Sequence, residues 1–246
     1  AEAYRVPVVL VFNKTDLLTP DELRRLQALD HVKSVSAQIE GNVRLVAGKY
    51  EANLYLNIMD SSAFESFGFP ALVDGTTYEV DPKAKKPVVW MGQGILENYF
   101  YNPSAIRWEQ HTVDPDKDRL TLQIQDWEFM EYDQYGNQTV KPKTYTAEVH
   151  IFDADEYSEY NYSAYMDFDQ YERIYNEYIK LLSKDNQKKA KQKLSNYTQI
   201  KVNADNVKNV EAVQDAIREM GLPIYATGAC PGGPFKDGPG EVNTPL

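Results

Sequence analysis

Cysteine is nearly missing: Cys230 is the sole one among 246 residues. No intrachain disulfide and no cysteine-rich zinc site can therefore form. So little cysteine suits the cytosol and equally the outward-facing proteins of many bacteria, which leaves the compartment open. Positive charge is also scarce, with 26 Lys and Arg against 37 Asp and Glu and a formal net charge of -11. A polyanion would be repelled, so no nucleic-acid partner is expected. The one basic run, KDNQKKAKQK at 184–193, lacks the interleaved aromatics that stack bases and reads as a solvated helix face. Long apolar runs are missing too: none approaches the roughly 20 residues that span a bilayer. The opening AEAYRVPVVLVFNK has no basic region ahead of a sufficient apolar one, so no signal peptide is expected in it. A membrane-bound parent would carry this stretch as a soluble loop.

What is present is ordinary globular material with one bias. Hydrophobic residues make up 42% and charged residues 26%, enough for a sizeable core in one large domain or two small ones. Eighteen tyrosines stand against nine phenylalanines and three tryptophans, densest between Tyr132 and Tyr178. Tyrosine gives large contact area with a polar tip, which fits half-exposed sheet and helix positions or a recognition surface. Asn-X-Ser/Thr triplets at Asn13, Asn137, Asn161 and Asn196 are patterns short enough to arise by chance.

Along the chain, 6–12 is β-rich and Thr19-Pro20-Asp21-Glu22 is a helix start. Thr19 is placed to cap, Pro20 suits the first helical position, and Glu22 completes a capping box. Leu23, Leu26 and Leu29 mark the inner face. Two strands are predicted at 32–39 and 43–46, joined by a turn at Gly41-Asn42, and another at 50–59 after a turn at 47–49. The middle is broken by Gly, Pro and Asp. It holds a buried strand at 87–91, a short helix at 93–101, and alternating strands at 120–130 and 144–152 around a 135–137 turn, so antiparallel strands should dominate it. Helices follow at 169–182 and 185–194. Residues 197–226 then read strand, helix, strand. Asn206 or Asn209 caps that helix, Val210, Val213, Ile217 and Met220 form its stripe, and Gly221 and Pro223 end it. The Gly/Pro-rich text after Ala226 reads as irregular.

The most conspicuous motif is VVLVFNKTD at 8–16 with Ser36-Ala37 downstream, which resembles the guanine-recognition end of a small GTPase. Guanine nucleotides also need a Gly-x-x-x-x-Gly-Lys-Ser/Thr phosphate cradle. The sole Gly-Lys pair, Gly48-Lys49, is followed by Tyr50, so the hydroxyl for Mg²⁺ is missing. Nucleotide binding is not expected, and the motif reads as a strand ending in a polar turn. Asp114-Pro115-Asp116-Lys117-Asp118 has the oxygen spacing that begins a calcium loop. Arg119 stands where the loop needs Gly, however, and Gln125 where it needs Glu, so a polar turn is expected. The acidic run 153–156 reads as a solvated loop. His31, His111 and His150 lie far apart without ligand spacing, and no G-x-S-x-G elbow is present. No catalytic, cofactor-binding or metal-binding residue is expected, and the chain is not expected to be an enzyme.

The two terminal units nevertheless resemble a family. Residues 19–36 (TPDELRRLQALDHVKSVS) look like the opening of the extracytoplasmic, periplasmic-core domain of MacB/FtsX-type ABC transporter permeases. The strand pair ending NIMD at 43–59, Leu72-Val73-Asp74-Gly75 and PVVWMGQGILENYF at 87–100 resemble that family's next features. Residues 165–182 resemble the segment before its last unit, and NVKNVEAVQDAIREMGLPIYA at 206–226 is the strongest match. The likeness spans about 18–226 and rests on the order of weak packing and capping signals. The rich 8–12 strand, the Gly/Pro tail and the Tyr-rich acidic middle depart from it, the last being more like a Gram-positive outward-facing loop.

The resemblance implies an α+β fold: a split, membrane-proximal α/β platform made from both chain ends, with an inserted β-rich lobe. The boundaries expected are 1–59 and 166–228 for the platform, 60–165 for the lobe and 229–246 for the tail. The implied role is non-catalytic, on the extracytoplasmic side of the cell membrane, passing the work of ATP hydrolysis outward as mechanotransmission or export. The implied partners are a cytoplasmic ATPase subunit acting through the full-length permease, a second permease copy, and a peptide, lipid or drug substrate. No cofactor is implied. The rival is a free-standing secreted or surface module that recognises a peptide or glycan through its tyrosines.

Overall fold

The computed structural model describes residues 8–12 and 18–227. The first two residues of the expected 6–12 strand, the Asn13-Lys14-Thr15-Asp16 motif, and the tail with Cys230 lie outside the described residues.

One strand organises the molecule. β2 (Val32–Ala47) runs for 16 residues without a break, where the sequence suggests two strands and a turn at Gly41-Asn42. The glycine serves packing instead: a Cβ on Gly41 would sit 2.5 Å from Tyr171 Oη and 2.6 Å from Ile58 Cδ1. No side chain fits there, so glycine lets the strand pass straight beneath a buried ring. The real turn comes at Gly48, at φ 60°, which closes a two-residue hairpin with Ala47 opposite Tyr50. β3 (Tyr50–Met59) then pairs antiparallel back along β2 as far as Gln38.

Both chain ends meet on the first half of β2. β9 (Gln199–Ala204) pairs with β2 from Val32 to Gln38. On its other side lies β1 (Val8–Phe12), and beyond that β10 (Ile224–Thr227). Both neighbours are antiparallel to β1, so β9 and β10 run parallel, with a strand from the other chain end slotted between them. Ile200, Val202 and Ala204 of β9 alternate onto one face and join Val9 and Val11 in a single buried cluster. α1 (Pro20–Gln27) adds Leu26 to that face, and α5 (Val210–Glu219) adds Val213 and Ile217. Each of those fully buried aliphatic side chains contributes about 1.5–3 kcal/mol over exposure. The helix starts differ from expectation in detail. The Thr19 hydroxyl donates to the Glu22 carboxylate rather than accepting from the helix backbone, and this bond lowers the Glu22 pKa. Asn206 caps a short 3₁₀ turn ahead of α5 by accepting from Lys208 N–H, while the Asn209 amide is engaged by Asp205 and His31.

The sheet continues from β3 through β8 (Ala164–Asp167) and β4 (Val88–Met91) to β7 (Glu148–Ile151). β5 (Leu120–Ile124) bonds to the second half of β2, and β6 (Thr144–Thr146) to β5. Antiparallel pairing prevails here as expected, in β2–β5, β4–β8 and β5–β6, while β3–β8 and β4–β7 are parallel. The expected 120–130 strand stops at Ile124, since Asp126 turns inward, 1% exposed, and caps a 3₁₀ turn at Glu128. The expected 144–152 strand is two strands with different partners. α2 (Gln93–Asn98) is brief; α3 (Phe168–Ile179) and α4 (Lys184–Lys193) are the remaining helices. Asp126 Oδ2 joins them, accepting from Tyr175 Oη at 2.6 Å and Lys193 Nζ at 2.8 Å. The dense tyrosine run divides: Tyr145, Tyr165, Tyr171, Tyr175 and Tyr178 are buried, while Tyr132, Tyr135 and Tyr157 are exposed.

Candidate functional site

None of the histidines is brought to another. His31 adopts φ 64° and bonds to Asp205 and Asn209. His111 stacks on Tyr50, with ring centroids 4.2 Å apart. The Asp114–Asp118 stretch is a turn: Asp114 accepts from Asp116 N–H and pairs with Lys117, and Asp118 accepts from Asp114 N–H. Ser36 and Ala37 sit inside β2 rather than in a base-backing loop. Among the described residues no group of three or more His, Cys, Asp or Glu side chains is arranged to hold a metal ion.

Concave regions of two kinds bear on function among the described residues. The first surrounds His150 on β7, a cleft of about 500 Å³ lined by Thr76, Lys85, Lys86, Trp90 and Glu148. Burial opposes ionisation of Asp74, but hydrogen bonds from Thr76 and His150 bring its pKa down to about 2. Asp74 and Thr76 both approach the same ring nitrogen, Nδ1, while Nε2 lies 3.2 Å from Glu148. The imidazole thus lies between carboxylates, and the Thr76 hydroxyl, 3.3 Å from it, donates to Asp74 Oδ1 at 2.7 Å. The cleft carries mixed charge and the buried Trp90 indole N–H, which has no hydrogen-bond partner among the described residues.

The second is a groove of one sign. Cavities of about 540 and 280 Å³ adjoin and share Asp60, Asp167 and Asp169 as lining. Their positions come from the same end of a parallel pairing: Asp60 follows β3, Asp167 ends β8 opposite Met59, and Asp169 lies in the first turn of α3. Asp167 is spent on structure, Oδ1 accepting from Asp169 and Gln170 N–H and Oδ2 from Ser61 N–H. Asp60 caps a 3₁₀ turn through Ser62. Asp169, Glu65 and Glu79 are exposed and accept no hydrogen bond from the described residues. No Lys, Arg or His lines either cavity among those residues. The charged side chains that line the groove are therefore all carboxylates among the described residues. Nothing in the sequence singled these residues out; only the Asp167 cap ahead of α3 was a recognisable signal.

The class that this defines is a mixed α/β protein built on one large sheet. No family model matches the chain, and no curated protein sequence matches it. Among solved structures it is similar to the extracellular domain of the noncanonic ABC-type transporter YknZ from Gram-positive bacteria. That match has a TM-score of 0.43 and 12% identity, covering 88% of this chain and 95% of that one. It is also similar to the periplasmic region of MacB from Actinobacillus actinomycetemcomitans, with a TM-score of 0.46 and 12% identity, covering 91% of this chain and 89% of that one.

Proposed function

We propose that this chain is a non-catalytic extracytoplasmic domain of a MacB/FtsX-type ABC transporter permease, coupling cytoplasmic ATP hydrolysis to export or mechanical work outside the membrane. The observation that carries this is the pairing of β1 with β10, which sets Val8 opposite Thr227. The chain thus enters and leaves the described fold side by side, as a segment inserted between two neighbouring membrane helices must. No helix among the described residues is long and apolar enough to cross a membrane, so in this reading the spans lie outside the domain. The buried cluster shared by β1, β9, α1 and α5 supports a platform made from both ends. A separate cluster joins the second half of β2 and β3 to α3, α4 and the middle strands, which favours a platform narrower than 1–59 and 166–228, closer to 8–38 and 197–227. Between Tyr132 and Tyr178, burial of Tyr145, Tyr165, Tyr171, Tyr175 and Tyr178 takes half of the tyrosines away from the surface that the rival module would use.

Fractionation of the producing cells tests the assignment. The polypeptide carrying this chain should stay in the membrane pellet after an alkaline carbonate wash and co-purify with an ATPase subunit. Recovery in the soluble fraction, without an ATPase, would overturn it.

A further inference from the structure

We propose that the cleft beside His150 is a binding site for a small carboxylate with a short aliphatic body, its carboxylate accepting from the buried Trp90 indole N–H and pairing with Lys85 and Lys86. The site belongs to the chain alone and stands whatever the transporter assignment. Its floor follows from register. β4 and β7 run parallel, with Val88 opposite Glu148 and Trp90 opposite His150. Residues two apart in a strand share a face, so these four side chains lie together, and all four line the cleft of about 500 Å³. Val89 and Met91 alternate to the other face, into the cluster that holds the second half of β2. Trp90 is 0% exposed, and its Nε1 is a buried donor with no hydrogen-bond partner among the described residues. Buried polar groups are paired in the great majority of cases. A bare donor on a cleft floor marks the place of a missing acceptor.

The wall, drawn from residues 76–86, is held in place by α3. Asp81 O accepts from Gln170 Nε2 at 2.9 Å, Pro82 O from Arg173 Nε at 3.0 Å and Ala84 O from Arg173 Nη2 at 2.7 Å. A wall fixed in this way spares a ligand the cost of ordering it. Charge then sets the sign of the ligand. Of the carboxylates that line the cleft, Glu148 lies 3.2 Å from His150 Nε2 and Asp81 Oδ1 accepts from Lys83 N–H, which leaves Glu79 unengaged. Lys85 and Lys86 are exposed, line the same cleft and have no carboxylate partner among the described residues. Two unengaged cations against one unengaged carboxylate favour an anion. A single N–H on the floor and two mobile point charges suit the two oxygens of a carboxylate. Val80, Ala84 and Val88 give the cleft an apolar side of limited extent, which fits a short aliphatic body.

The test is a titration of the isotopically labelled 246-residue chain followed by NMR of its three tryptophan indole N–H groups. Trp108 and Trp127 are exposed and serve as internal controls. Trp90→Phe assigns the third resonance or, should that variant not fold, through-space contacts to Phe64 and Tyr78 do so. The probes are sodium hexanoate, hexanamide, and acetyl-Ala-Ala-Leu with a free carboxylate. A saturable downfield shift of the Trp90 indole proton is expected with hexanoate. Hexanamide keeps the body and loses the charge, and should bind at least about tenfold more weakly. Lys85→Gln combined with Lys86→Gln, both at exposed positions, should weaken hexanoate about tenfold as well. Tighter binding of hexanoate than of acetyl-Ala-Ala-Leu assigns the site to free acids, and the reverse order assigns it to peptide C-termini. Equal binding of hexanoate and hexanamide, a shift confined to Trp108 or Trp127, indifference to the lysine substitutions, or no saturable shift with either carboxylate would overturn the proposal.

Discussion

Replacing Gly41 with alanine places a methyl group where Tyr171 Oη, Tyr171 Cζ and Ile58 Cδ1 already stand, at 2.5, 2.7 and 2.6 Å. All three belong to buried side chains, so relief requires the ring or the strand to move within a packed core. Overpacking of this kind costs about 1–3 kcal/mol. Gly41 is not at positive φ, so the backbone accepts alanine, and reduced freedom of the unfolded chain returns about 0.4–1 kcal/mol. The net expectation is a destabilisation of about 1–2 kcal/mol, read as a lower urea midpoint at unchanged m-value. Tyr171→Phe removes the atom nearest the new methyl. In that background Gly41→Ala should cost about 1 kcal/mol less, a coupling within the range seen for residues in contact. A stabilising Gly41→Ala, or the same cost in both backgrounds, would refute the claim that Gly41 is required by the ring above it.

Other consequences follow from single groups. Asp126→Ala leaves the buried Tyr175 hydroxyl and Lys193 without their shared acceptor. It should cost about 3 kcal/mol by urea denaturation, the low end for a broken buried pair because Lys193 can reach water. Tyr175→Phe, which leaves the ion pair intact, should cost less, and equal costs would contradict this account of the network. The Asp74 pKa is depressed from 3.8 to about 2. Its contribution to stability is therefore complete above about pH 4 and lost as pH falls towards 2, so Asp74→Asn should flatten the acid limb of a stability–pH curve over that window. An unchanged acid limb would show that the Thr76 and His150 hydrogen bonds to Asp74 do not stabilise the fold. Asn206→Ala removes the cap that precedes α5 and should lower stability by about 1 kcal/mol; a neutral result would mean that water serves as well.

How much of this was legible depended on whether the cause was local. Val213 and Ile217 lie on the buried stripe that their spacing gives, and Pro20 opens a helix as its fixed φ dictates, because those signals act within a few residues. Gly41-Asn42 misled for the same reason: the pair is a strong turn signal locally, yet Tyr171, 130 positions away in the chain, fixes the strand through it. The slotting of β1 between β9 and β10 was equally hidden, since nothing in the text of either end names its partner. The acidic groove joins Asp60 to Asp167 and Asp169 through the β3–β8 pairing, a contact between distant segments that no local signal announces. The polar turn expected at Asp114–Asp118 is also local, and Asp114 and Asp118 each accept from a backbone N–H within it.

The central claim concerns which side of a membrane this fold occupies, and one labelling measurement addresses it. Tyr157, 92% exposed, is changed to cysteine in the full parent polypeptide with Cys230→Ser, and spheroplasts of the producing cells are treated with a membrane-impermeant maleimide. Labelling of Tyr157→Cys without permeabilisation is the expected result. Labelling that appears only after detergent lysis would put the domain inside the cell and contradict the assignment.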